Sequence, residues 1–380
     1  MAKETLQIPL VTASPGTVRS LTVHRYGRPG TAPKVYIQAA LHADELPGVL
    51  AAHHLIRLLD AADRRGEIQG EIVVVPMANP AGLDQVVDGV HIGNRDLRWG
   101  GDFNRNWFDL AEGLVEAVRP HLTQDPAANV LAIRAAIRAR LDTISAKTAL
   151  AQHRLVLARL AYDADIVLDL HCDDDALQHI YMMPQHWPQG ADLVADLAAV
   201  SCLLCDESGG HCFDETFSLP FTKLHKQLGS EFPVPPACFS ATIEFRGQAD
   251  VYDELAEADA AGLYRFLQRR GAVAGVPDDL PALGFDALPL DATDMVEVTV
   301  PGILAYKVPL GARVEQGQLV AEIVDPFALD QSAARTPVHS LTAGLVLARR
   351  SKKLVAPGDG VMMVVGAESL AYRATRLMSE

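Results

Sequence analysis

The chain has 380 residues, 49% of them apolar and 21% charged, with a formal net charge of -15. That length suits one large domain plus a smaller one. The acid excess speaks against nucleic acid or an anionic membrane as a partner, and no apolar run approaches the ~20 residues that span a bilayer.

The opening Met1-Ala2-Lys3-Glu4-Thr5 lacks the basic-then-apolar design of a secretion signal, and five cysteines in so long a chain make no disulfide framework. A reduced, cytoplasmic protein is expected. Residues 34–40 are short, apolar and β-branched enough for a buried strand. Residues 46–59 follow with helical periodicity, Pro47 being tolerated in the first turn. Residues 71–76 form a second apolar strand, closed by the breakers Asn79-Pro80-Ala81-Gly82. Strand, helix, strand implies a parallel sheet with a crossover helix. The stretch 110–164 reads as mostly helical, 164–170 and 241–245 as two more central strands, and 256–270 as a closing helix. This is the α/β class, with ligands expected beyond the carboxyl ends of the strands. A linker is expected at 275–281, and beyond it short alternating strands are punctuated by glycine turns. The expected division is therefore a catalytic domain over 1–285 and a small all-β unit over 286–380.

Four segments can carry chemistry. In Leu41-His42-Ala43-Asp44-Glu45, just after the first strand, His42 and Glu45 can turn toward one metal ion. His171, in Leu168-Asp169-Leu170-His171, sits just past a strand's carboxyl end and would complete a three-ligand site that leaves one position for water; Asp169 could orient its ring. Glu244 lies inside the apolar run Thr242-Ile243-Glu244-Phe245, where burying a carboxylate costs several kcal/mol unless it is paired or functional. It is either a general base for the water a metal activates or the partner of Arg246 on the same strand face. The fourth segment, 95–106, sets three arginines around a glycine pair and can grip carboxylates or simply form a surface turn.

Together these residues resemble the succinylglutamate desuccinylase and aspartoacylase family, which has the zinc-carboxypeptidase-like fold, a mixed sheet flanked by helices. The matching motifs run in order: His42-Ala43-Asp44-Glu45, Asp102-Phe103-Asn104-Arg105, Asp169-Leu170-His171 and Thr242-Ile243-Glu244. The resemblance implies one Zn2+ per chain on His42, Glu45 and His171, water activation by Glu244, and a substrate carboxylate held by Asn104 and Arg105. It also calls for an arginine that polarises the scissile carbonyl, for which Arg98 is the nearest candidate. The expected activity is deacylation of a small N-acyl amino acid. A metallocarboxypeptidase acting on short peptides and a non-catalytic binding protein on the same fold are the alternatives. Oligomeric state stays open, a homo-oligomer included.

The acidic run Asp173-Asp174-Asp175 is either a solvated loop or a face toward a cationic group on the substrate. The tail resembles a lipoyl- or biotinyl-type β barrel-sandwich through residues 311–323. It offers no lysine between Lys307 and Lys352, so no carrier modification is expected. Cys202, Cys205, His211 and Cys212 lack a second half-site and read as buried structure rather than as a zinc knuckle.

Overall fold

The structure is a computed structural model that describes residues 3–373 and 377. A nine-stranded sheet forms its centre. In chain order the strands are β1 (Glu4–Leu10), β2 (Arg19–Tyr26), β3 (Lys34–Ala39), β4 (Glu71–Val75), β5 (Ile166–Asp173), β6 (His179–Met182), β7 (Ser201–Leu204), β8 (Phe239–Gly247) and β9 (Leu288–Pro289). Their spatial order is β1-β2-β4-β3-β5-β8-β6-β7-β9. The middle of the sheet, β4-β3-β5-β8, is parallel. β3 and β4 are buried almost throughout, as is most of β5. Helices cover both faces there, which is why these segments read as continuous Val, Ile and Leu runs rather than alternating ones.

Five longer helices flank the sheet: α1 (Pro47–Arg65), α2 (Pro126–Thr143), α3 (Ala149–Ala161), α4 (Phe213–Leu228) and α5 (Asp253–Arg269). α1 starts with Pro at its first position and ends at Gly66 in the left-handed region, φ 71°. Its buried stripe Ala51, Leu55, Leu59 and Ala62 has the 3–4 residue spacing of one helical face. At its foot Gly48 lets the helix lie close on β5, since a Cβ there would come within 3.0 Å of the Leu170 Cβ. The expected helical stretch 110–164 resolves into a short helix at Leu114–Val118, then α2 and α3.

Three pieces lie outside the expectation. The antiparallel hairpin β1–β2 extends one edge of the sheet. β6 and β7 extend the other edge, Cys202 being fully buried in the main core and Cys205 packed beside the shared cluster described below. The helix α4 carries Pro220 inside it, a residue that masks a helix in a sequence reading.

Beyond β9, residues 293–365 form two small antiparallel sheets around Val296, Val320, Val346 and Val364. Leu288–Pro289, past the expected boundary at 285, still pairs with β7 in the large sheet. The small unit docks directly: Ala176 and Asp175 pair with Ala348 and Arg349 as strand neighbours. Leu203 and Ala176 share a core with Leu347, Met363 and Val365. No helix among the described residues is long and apolar enough to cross a membrane.

Candidate active site

The carboxyl ends of β3, β5 and β8 deliver the side chains that the four segments promised. His42 and Glu45 follow β3, in the turn that leads into α1, and His171 is in β5. Glu45 accepts on both sides, with His42 Nδ1 2.8 Å from Oε1 and His171 Nδ1 2.7 Å from Oε2. One ligand atom from each of the three residues lies within 4.8 Å of the others, as required to hold a single metal ion. Each imidazole turns its other nitrogen to an aspartate. His42 Nε2 is 2.8 Å from Asp102 Oδ1, and His171 Nε2 is 2.9 Å from Asp169 Oδ2, an oxygen with no well-aligned hydrogen bond. Asp169 is in turn held by Gln38 Nε2 at 2.9 Å, and Gln38 accepts from Tyr36. Such outer carboxylates set the tautomer and orientation of metal-binding histidines.

The charges of this set are tightly interdependent. Burial pulls His42 down, but Glu45 and Asp102 outweigh it and raise the ring to about 9. Burial opposes and Asp169 and Glu45 raise His171 well above its usual range. Burial pushes Glu45 up, but the two histidines overcome this and hold it down at about 2. The trio is a carboxylate between protonated rings, and a divalent cation would take the place of those protons.

Glu244 stands on β8 directly beside His171 in the parallel register. Among the described residues its side chain has no hydrogen bond or ion pair. Burial, with Glu45 and Asp173 adding against a pull from His171, pushes its carboxyl up to about 8. The alternative pairing with Arg246 is not made: Arg246 has φ 62°, which breaks the strand alternation, and its guanidinium binds Asp259 instead. Ala40, Asn106 and His211 also have positive φ, so strained backbone gathers around this centre.

Asn104 and Arg105 both line the cavity above the trio. Asn104 Oδ1 accepts the Phe213 N–H at 2.8 Å, and its amide nitrogen lies 3.4 Å from His171 Nε2, so this side chain ties the start of α4 to the centre. Arg105 donates to the Asn104 carbonyl at 3.0 Å and has no acidic partner within ion-pair distance among the described residues, which leaves its guanidinium for a ligand. Gly210 makes room for it, because a Cβ there would come 2.3 Å from Arg105 Cδ.

Arg98 is placed differently from the expectation. It is exposed, reaches the Ala13 carbonyl at 3.4 Å, lies over the Trp99 ring and lines a separate pocket. The glycine pair Gly100-Gly101 turns the chain so that Asp102 enters the centre while Arg98 stays on the loop's outer side. The acidic run divides as well. Asp175 pairs with Arg349 at 2.8 Å and Asp174 accepts the Ser351 N–H at 3.4 Å, both docking the small β unit. Asp173 alone lines the cavity, its carboxyl pushed up to about 6 by burial.

The cavity measures about 310 Å³ and is walled by both parts of the molecule. Sequence reasoning missed Tyr181 from β6, Asp214 from the first turn of α4, and Met295 and Met363 from the small β unit. Asp214 is 7% exposed and is pushed up to about 7 by burial, with Glu215 and Asp169 adding. Only the His179-Ile180-Tyr181 alternation carried a local signal for any of them. Elsewhere, Cys202 belongs to the apolar core, and among the described residues the sole metal-holding group is the His42, Glu45, His171 trio.

Residues 31–270 match the succinylglutamate desuccinylase/aspartoacylase catalytic domain. The N-alpha-acetyl-L-2,4-diaminobutyric acid deacetylase of Halomonas elongata is 25% identical over 349 residues, 88% of this chain and 82% of that protein. Crystal structures assigned to the same family share the fold. One from Shewanella amazonensis gives a TM-score of 0.83 at 23% identity, covering 96% of this chain and 98% of that one. Another, from Shewanella frigidimarina, gives 0.81 at 23% identity, covering 96% of each.

Proposed function

This chain belongs to the succinylglutamate desuccinylase/aspartoacylase family of deacylases, and on that premise we propose that it is a zinc-dependent amidohydrolase that deacylates a small N-acyl amino acid. The observation that carries the reading is the convergence of His42, Glu45 and His171 on one point, with the unpartnered carboxylate of Glu244 beside them. Two imidazoles and one carboxylate are the donor set of a catalytic zinc site. When bound there, zinc supplies a Lewis acid that brings the pKa of water to about 7.

The rest of the reaction belongs to the protein. Glu244 takes the proton of the attacking water and returns it to the departing amine, a task suited to a carboxyl raised toward neutrality. Arg105 meets the substrate carboxylate with a guanidinium that has no acidic partner among the described residues, and Asn104 keeps the wall beside it in place. Arg98, on the outer loop, is not placed to polarise the scissile carbonyl. The deacetylase name of the Halomonas elongata relative supports a short acyl group. The cavity volume supports a small substrate over a peptide, since about 300 Å³ is at the lower end of small-molecule sites.

Glu244→Gln is expected to retain stoichiometric zinc and lose about a thousandfold in kcat. Metal analysis paired with acetate release from N-acetyl amino acids checks both halves. Near-normal turnover in that variant removes Glu244 from the mechanism.

A further inference from the structure

The cavity wall holds more carboxyl groups than the reaction needs. Glu45, Asp173, Asp214, Glu215, Glu244 and Glu297 face it, against the guanidiniums of Arg105 and Arg373. Glu45 and Glu244 are engaged with the metal site and the water, and Glu215 accepts the Ser208 N–H at 2.7 Å. Asp214 is different. It is more than nine-tenths buried, lines the cavity, and meets no cation within ion-pair distance among the described residues; the backbone N–H of its neighbour Glu215 bonds to it, and His171 acts on it only from further off. A carboxylate buried without a counter-charge beside it is unfavourable, and a ligand cation would relieve that.

We propose that Asp214 is a specificity-determining residue whose carboxylate receives an ammonium group on the substrate's side chain. The preferred substrate is then an N-acyl amino acid with a short cationic side chain. This deepens the deacylase reading and rests on it. The cavity lining offers Arg105 for the carboxylate and Asp214 for the ammonium of such a substrate.

The test compares kcat/KM for N-α-acetyl-2,4-diaminobutyrate with that for N-acetyl-2-aminobutyrate, which is shorter and neutral, in the zinc-loaded parent and in Asp214→Asn. The parent is expected to favour the cationic substrate, and the substitution to shrink that preference at least tenfold. A preference unchanged in Asp214→Asn, or absent from the parent, overturns the proposal. The variant also separates a charged carboxylate from a neutral hydrogen-bonding acid, because Asn replaces the latter well and the former badly. Thermal shift of the parent provides a readout that needs neither the variant nor turnover. 2,4-Diaminobutyrate is expected to raise Tm more than 2-aminobutyrate, and equal shifts overturn the proposal. A parent that releases acetate from no N-acetyl amino acid, yet is stabilised selectively by the diamino acid, defeats the deacylase reading and leaves Asp214 as the ammonium site.

Discussion

Asp214 and Glu244 are carboxyls that the fold holds above their ordinary range by burying them, and this has a definite sign in stability. Asp214 keeps its proton to about 7 in the folded chain, while the unfolded chain releases it near the usual 3.8. Between those values the folded state binds more protons, so this group's contribution is full below the unfolded value and is lost as pH rises through the folded one. Each pKa unit of difference is worth about 1.4 kcal/mol. Asp214→Asn has no proton to lose. Its Tm relative to the parent is therefore expected to rise steadily from pH 4 to pH 8, as followed by calorimetry at matched metal content. A difference that stays flat across that range would show that Asp214 is not held protonated by the fold.

At the scale of elements, the loop before α4 decides where Arg105 stands. The backbone of Asn106 and Trp107 pairs with that of Gly210 and His211, with N···O distances of 2.8 and 3.0 Å, locking the arginine loop against the start of the helix. Arg154 adds donors to the carbonyls of Asp102 and Phe103 while lying over Trp107. Gly210 is the point of closest approach in this contact. Gly210→Ala is expected to displace the Arg105 stem and raise KM about tenfold, with zinc content and kcat changed little. Its backbone does not need the left-handed region, so stability should fall by no more than about 1 kcal/mol. An unchanged KM would mean that the guanidinium does not hold the substrate carboxylate.

The whole molecule is one large sheet, two packed faces and a small β unit that contributes part of the cavity wall. Leu347 is fully buried where that unit meets β7. Leu347→Ala is expected to cost about 2–5 kcal/mol at the junction. In calorimetry the small unit should then melt before the catalytic part, and kcat/KM should fall while zinc is retained. A single transition with full activity would show that the wall formed by Met295 and Met363 is dispensable. The amino-acid sequence by itself determined the parallel centre of the sheet, because strands buried on both faces must be apolar runs. It also marked His42, Glu45, His171 and Glu244, because polar groups at the ends of such runs have no cheap structural use. Local pattern carries no information about partners far along the chain. Asp214 on a helix interrupted by Pro220, the outward turn of Arg98, the use of Asp174 and Asp175 as docking groups, and a cavity wall contributed by Leu290, Met295, Met363 and Leu377 were decided only by tertiary contact. The burial that shifts a carboxyl's proton affinity is created by packing neighbours that no short stretch of sequence contains.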